Sequence, residues 1–218
     1  MSKHHIDSLI CPECGSREEI TIWETINVSL DPSLRKKVLS KELFVHKCSK
    51  CGTGIFIAGG ILYHDMENKF MLNYNELPPS EIDYEGIEMP SEFCLNDVYT
   101  YRCVYGFNNF REKILILENG LNDIVIERIK YIIKHVQSNN YNNCEIYFLT
   151  VDNSDTENYE YGQLQFVVID KNNKFYYFGV SMTNYYEQKL AVELDPRMKA
   201  LDWSCIDENW ISKHFKTI

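Results

Sequence analysis

Between Ile20 and Leu30, apolar and polar side chains alternate over much of the stretch, the period of a half-buried strand. Asp31-Pro32 then reads as an N-cap with proline at the first helical position. Leu34, Val38 and Leu39 fall at helical spacing, so a short helix is predicted to about Lys41. Leu43–Lys47 and Ile55–Tyr63 read as strands, and Phe70–Leu72 as another after a turn at Glu67-Asn68. Val98–Tyr105 alternates loosely, as a strand. Asn109-x-x-Glu112 has the capping-box spacing and opens a segment with Phe110, Ile114 and Leu117 on one face, although its β-branched content leaves a strand reading open. Gly120 suits a helix C′ position and Asn122 an N-cap. Val125, Ile129, Ile132, Ile133 and Val136 make the clearest helical stripe in the chain, with Asp123 and Glu127 at its start and Lys134 and His135 near its end, as the helix dipole prefers. Three strand-like runs follow, Glu145–Val151, Gln163–Asp170 and Lys174–Val180, the last two joined across Lys171-Asn172-Asn173. Asp152–Tyr161 is a polar loop. Helices are expected around Tyr185–Leu194 and Asp207–Phe215. No internal repeat is present.

Charge changes this picture in one place. The 218 residues carry a formal net charge of −10, but residues 76–97 hold seven acids and no base. Pro78, Pro79, Gly86 and Pro90 lie in the same stretch, and prolines with repelling charges extend a chain. Three parts follow: an N-terminal domain over 1–75, an acidic linker over 76–97, and an α+β domain over 98–218 built as a small antiparallel sheet packed with helices. The linker reads as a solvated connector, or as a segment that docks on a basic surface. Hydrophobic residues at 44% and charged residues at 25% are ordinary for a globular protein. No apolar run reaches the roughly 20 residues of a membrane helix. Met1–Ile10 lacks the apolar stretch of a signal peptide, so a reducing cytoplasm is expected and the eight cysteines are read as thiols or metal ligands.

The strongest chemical signal is Cys11-Pro12-Glu13-Cys14-Gly15, answered by Cys48-Ser49-Lys50-Cys51-Gly52. Two Cys-x-x-Cys pairs supply the four thiolates of a closed tetrahedral Zn²⁺ site, and a glycine after each pair permits the positive φ that turns the backbone around the sulfurs. The spacing between the pairs exceeds that of a small ribbon, which leaves room for the helix at Asp31–Lys41. The N-terminal part is therefore expected to be zinc-ribbon-like with an inserted helix, holding one structural Zn²⁺ on Cys11, Cys14, Cys48 and Cys51. A dithiol redox pair and a metal sensor are the competing readings. Arg17, Lys47 and Lys50 stand nearby to offset the anionic site.

These residues carry a resemblance. Cys11-Pro12-x-Cys14-Gly15, Ile26-Asn27-Val28-Ser29, Asp31-Pro32, Leu43-Phe44 before the second pair, and Tyr63-His64-Asp65 together resemble the CpXC domain family of bacteria and archaea. The resemblance continues through Arg111-Glu112-Lys113-Ile114, Gly120-Leu121-Asn122-Asp123 and Ile126-Glu127. It implies two metal-ligand motifs on the same four cysteines and leaves the activity open.

Other candidates are weaker. His64-Asp65 has the makings of a base and its orienter, but neighbours on a strand face opposite ways, which favours a turn role. His46 is a spare ligand, and His4 and His5 lie in an expected frayed terminus. Cys94, Cys103, Cys144 and Cys205 lack paired spacing and read as buried thiols. Arg35, Lys36, Lys37 and Lys41 beside Trp23 and Phe44 suggest a nucleic-acid surface, against which stands an acidic chain without a broad basic footprint. Tyrosines cluster at Tyr99/Tyr101/Tyr105, Tyr176/Tyr177 and Tyr185/Tyr186, and exposed tyrosines favour protein interfaces. No nucleotide-binding loop, hydrolase elbow or metalloprotease helix appears. The expected function is binding of another protein, in an inhibitor, immunity or regulatory role, with no membrane and no catalytic residues. The competing readings are an enzyme with an unrecognised cleft between the two domains and a nucleic-acid-binding ribbon.

Overall fold

A computed structural model describes residues 1–57, 59–79, 98–137, 141, 143–154 and 162–215. Most of the acidic segment, residues 80–97 with Cys94, lies outside the described residues, as does most of the polar loop at 155–161. The protein is mixed α and β, and its described residues divide into two compact units, one of residues 1–79 and 98–111 and one of residues 112–215.

The first unit is built on a five-stranded sheet. Its strands are β1 (Lys3–Ile10), β2 (Arg17–Asn27), β5 (Ile61–Asp65), β6 (Phe70–Asn75) and β7 (Thr100–Tyr105), in the spatial order β1-β2-β5-β6-β7. β1 pairs antiparallel with β2, β5 antiparallel with β6, while β2–β5 and β6–β7 are parallel. Residues 98–111, expected to open the C-terminal part, thus join the first unit through the pairing of β7 with β6. Parallel neighbours require a crossover. Between β2 and β5 it contains α1 (Pro32–Leu39), a 3-10 turn at Glu42–Phe44, and a hairpin of β3 (Val45–Lys47) and β4 (Gly54–Phe56). The apolar run Ile55–Tyr63 is therefore two strands in two sheets rather than one. Gly60 sits in the break, where a Cβ would come within 2.5 Å of Asn75 Oδ1. Asp31 starts α1 as expected, but its side chain makes no cap hydrogen bond.

One face of the sheet holds an aromatic core. Leu34 and Val38 of α1, Phe44, Ile26, Tyr63, Leu72 and Tyr74 are buried together with Phe107 and Phe110 of α2 (Phe107–Glu118). Tyr74 and Phe110 stack at 4.4 Å, and Phe44 meets Tyr74 and Phe107 edge-on at 5.3 and 5.5 Å, spacings favoured by ring quadrupoles. α2 opens two residues before the expected capping box, directly after Gly106 at φ +79°.

The second unit is a three-stranded antiparallel meander, β8 (Glu145–Asp152), β9 (Gln163–Ile169) and β10 (Phe175–Ser181), in the order β10-β9-β8. The β9–β10 turn has Asn173 at φ +58°. Helices α3 (Asp123–Ile132, continued by a π turn at Ile133–Gln137), α4 (Met182–Leu194) and α5 (Glu208–His214) share its core. Val125, Ile129 and Ile133 of the stripe are buried, and so are Ile124 and Ile126, against Phe148, Leu164, Phe166 and Val168 of the sheet. Asn122 caps α3 as expected, its side chain accepting from Ile124 N and Val125 N. Asp207 does the same for α5. Among the described residues no helix is long and apolar enough to cross a membrane.

Candidate metal centre

Each Cys-x-x-Cys pair occupies the turn of a hairpin. Between β1 and β2, Gly15 N donates to Cys11 O at 3.0 Å and Cys11 N to Ser16 O at 2.8 Å. Between β3 and β4 the same two bonds recur, Gly52 N to Cys48 O and Cys48 N to Thr53 O, both at 2.9 Å. Gly15 and Gly52 take φ of +70° and +76°, a conformation in which any Cβ is strained. The turns are thus two copies of one local structure, each presenting its cysteines to the same point.

The four cysteines meet there. Their sulfurs all lie within 4.8 Å of one another. Cys11 Sγ and Cys51 Sγ are 3.7 Å apart, Cys14 Sγ and Cys48 Sγ 3.6 Å. Ligands about 2.3 Å from a tetrahedral Zn²⁺ stand about 3.8 Å from one another, so the donor set fits a four-thiolate metal ion. Cys11 and Cys48 are buried, Cys14 is half-buried and Cys51 exposed. Ser16 Oγ lies 3.1 Å from Cys14 Sγ, and Thr53 Oγ1 3.2 Å from Cys51 Sγ, at matching positions in the two turns. The Ser16 hydroxyl and N–H draw the Cys14 thiol down to about 6, and those of Thr53 lower Cys51. At Cys11 the backbone around Cys14 works downward, but burial and the neighbouring thiols leave the group up at about 11. In each turn one thiol is thus shifted toward the thiolate, the form that binds a metal.

A residue that sequence reasoning missed joins the turns. Glu18, the second residue of β2, is buried, and its carboxylate accepts from Ser16 Oγ at 3.0 Å, Ser49 N at 3.2 Å and Ser49 Oγ at 3.1 Å. Cys48 Sγ lies 3.5 Å from Oε1, and His46 Nε2 3.3 Å from Oε2. The Ser49 N–H and then the Ser16 hydroxyl hold this carboxyl down to about 2. Glu18 thereby ties the first turn to the second behind the sulfurs, as outer-shell carboxylates do at metal sites. His46 is engaged with Glu18 and is not one of the converging sulfur ligands. Its only sequence signal was an acid at strand spacing beside the first pair.

A family model described as CpXC protein matches residues 9–130, more than half of the chain. The chain belongs to the CpXC family. No curated protein and no solved structure matches it. The matched range takes in both cysteine turns and Glu18, and also a second polar cluster of this CpXC chain that the sequence did not disclose.

That cluster lies in the second unit. Glu112, Lys113, Asp123 and Glu127 are all buried. Lys130 Nζ reaches Glu112 Oε2 at 2.8 Å and Glu127 Oε1 at 3.0 Å. Lys113 Nζ reaches Asp123 Oδ2 at 3.2 Å and Ile206 O at 2.9 Å. Glu112 Oε1 also accepts from Phe148 N at 2.6 Å, on the outer edge of β8. Burial first, with the charge of Glu127 adding to it, pushes Glu112 up. Burial alone would lower Lys130, yet the carboxylates beside it raise it well above the lysine range. Three carboxylates against two ammoniums, all out of water, account for both directions. The expected capping box fails because α2 already starts at Phe107, which puts Asn109 inside the helix, and Glu112 points into this cluster. Its carboxylates do not gather closely enough to offer a metal a ligand set among the described residues.

The remaining candidates separate. Asp65 closes its turn, Oδ1 accepting from Glu67 N and Asn68 N at 3.0 Å each. His64 looks elsewhere, with Nδ1 3.3 Å from Asn27 Nδ2 and Nε2 3.4 Å from Tyr99 OH, and burial lowers it. His4 and His5 lie on β1 rather than in a frayed end, against Trp23 and Glu24. Phe44 is buried and Lys41 sits 4.9 Å from the rings of Phe56 and Phe107, so this half of the supposed base-stacking surface is core. Cys103 and Cys205 are buried and Cys144 is half-buried.

Proposed function

We propose that this CpXC chain is a cytoplasmic scaffold whose two cysteine hairpins are closed by one structural Zn²⁺, held by Cys11, Cys14, Cys48 and Cys51, and whose role is to bind another protein. The spacing of the four sulfurs carries the reading, because four thiolates at tetrahedral distances fill the coordination shell and leave no position for a reacting water. Such an ion supplies structure: it cross-links two turns that are far apart in sequence. The paired hairpins support a zinc-ribbon-like arrangement, with α1 in the connection between them. Burial of Phe44 weighs against nucleic acid, and exposed aromatics on β10 and α4 weigh toward a protein surface.

Native mass spectrometry of the full chain isolated from its own cells tests this. One zinc per chain with a retained protein supports both halves of the reading, and Cys48→Ser is expected to abolish the zinc. A chain without metal whose cysteine pairs are each two hydrogens short overturns the zinc half. A retained small molecule in place of a protein overturns the binding half in favour of an enzyme.

A further inference from the structure

The sheet of the second unit has two edges, and the chain treats them differently. At β8 the Phe148 N–H is taken by Glu112, and the pairing with β9 carries a bulge between Phe148 and Thr150. At the other edge β10 runs Phe175–Ser181 in unbroken register with β9, with no charged residue and no proline. Charge, proline and bulges are what ordinarily keep a sheet edge from pairing. Phe175, Tyr176 and Tyr177 are 58%, 50% and 69% exposed. Helix α4 follows β10 directly and packs against it. Its side bearing Met182, Tyr185 and Val192 is buried, yet Tyr186, Leu190 and Leu194, at i, i+4 and i+8, are each roughly half exposed or more. An edge strand and the helix beside it thus both present apolar surface.

We infer that β10 pairs antiparallel with β10 of a second copy of this chain, about a two-fold axis at Phe178, to make one six-stranded sheet. Such pairing sets Phe175 opposite Ser181 and Tyr177 opposite Gly179, large against small on one face. On the other face Tyr176 meets Val180 beside Phe178, whose ring stacks on Phe166 at 5.4 Å. A strand complementary in size to itself about its own centre is what an isologous contact needs. The α4 stripes of the two copies then lie on the same face of the joined sheet, one on each side of the seam. Four aromatics at about half exposure leave roughly 100 Å² each. With two leucines, about 600 Å² per copy is available before the strand backbone is counted, against about 800 Å² per partner in a stable interface. The seam is uncharged, so the repulsion between two chains of net charge −10 does not fall on it and is screened by salt. None of this depends on the metal.

Sedimentation velocity of the full chain over a wide concentration range is the test. A dimer that tightens as salt is raised is expected. Tyr177→Lys, at an exposed position, sets two ammoniums about 7–8 Å apart across the seam and weakens the dimer by about 100-fold or more. Leu190→Glu weakens it from the helix side. Zinc content and far-UV circular dichroism of the same samples report the fold separately. A wild-type chain that stays monomeric, or a dimer unmoved by Tyr177→Lys, overturns the inference. So does a monomer that captures a different protein through β10.

Discussion

Replacing Glu112 by alanine strikes the buried cluster at its most connected member. The carboxylate holds Lys130 at 2.8 Å and takes the Phe148 N–H at 2.6 Å, in a position of only 3% exposure. Breaking a buried pair by deleting one partner costs about 3–5 kcal/mol, and the orphaned amide accounts for about 1–3 kcal/mol of it. Glu127, 3.0 Å from Lys130, stays in place and keeps the ammonium paired. The expected loss is therefore at the low end, about 3 kcal/mol. Glu112→Gln keeps an acceptor for Phe148 and should cost about half of that. Lys130→Met leaves Glu112 and Glu127 facing each other, and should cost more than either. The loss in the double variant Glu112→Gln/Lys130→Met should fall short of the sum of the two single losses by about 1 kcal/mol or more, as for residues in one network. The assay is urea unfolding followed by fluorescence of Trp203 and Trp210, both buried in the second unit, in a Trp23→Phe background. A loss below about 1 kcal/mol for Glu112→Ala, or strict additivity in the double variant, refutes the account of the cluster as a stabilising tie on β8.

At the metal centre, Glu18→Gln should lower metal affinity by about 10–100-fold with four cysteines still bound, read by competition with a chelator and by the thiolate charge-transfer bands of the cobalt form; unchanged affinity would remove Glu18 from the site. The Arg197 guanidinium and N–H hold Asp195 at about 2, against an ordinary 3.8. An aspartate lowered in the folded state contributes stability that is complete above the ordinary value and fades as pH falls toward the folded one. The melting-temperature gap between wild type and Asp195→Asn should accordingly be constant at neutral pH and close between about pH 4 and pH 2.

Local signals in the sequence survive in the structure, and signals that depend on partners do not. The Cys-x-x-Cys-Gly turns are legible because a few adjacent residues fix both the positive φ and the aim of the sulfurs. Asn122 and the meander strands are legible for the same reason, since caps and alternation act within one element. β1 was not: it is an edge strand exposed along nearly its whole length, so Lys3–Ile10 shows no alternation to read. The crossover pairing of β2 with β5, and of β6 with β7, depends on residues distant in sequence. Glu112, Lys113, Glu127 and Lys130 resemble any solvated helix face, and only the elements packed over them make them interior.

The same contrast says what a metal held by the four cysteines would contribute. The first unit has an aromatic core between its sheet and two helices, built from Phe44, Tyr63, Tyr74, Phe107 and Phe110, which owes nothing to the cysteines. The β3–β4 hairpin lacks such a core: its strands are three residues each and, among the described residues, pair with one another alone. A two-stranded ribbon of that length is marginal by itself. A metal bridging Cys14 and Cys48 closes a loop of more than thirty residues, and in the chain-entropy account such a clip contributes roughly 4 kcal/mol. That is a large share of the 5–15 kcal/mol by which domains are typically stable. That energy would be delivered at a hairpin that packing leaves weak, with Glu18 tying the two turns together. An ion held there would therefore act as the missing core of the β3–β4 hairpin, and its loss should be felt there before it reaches the sheet.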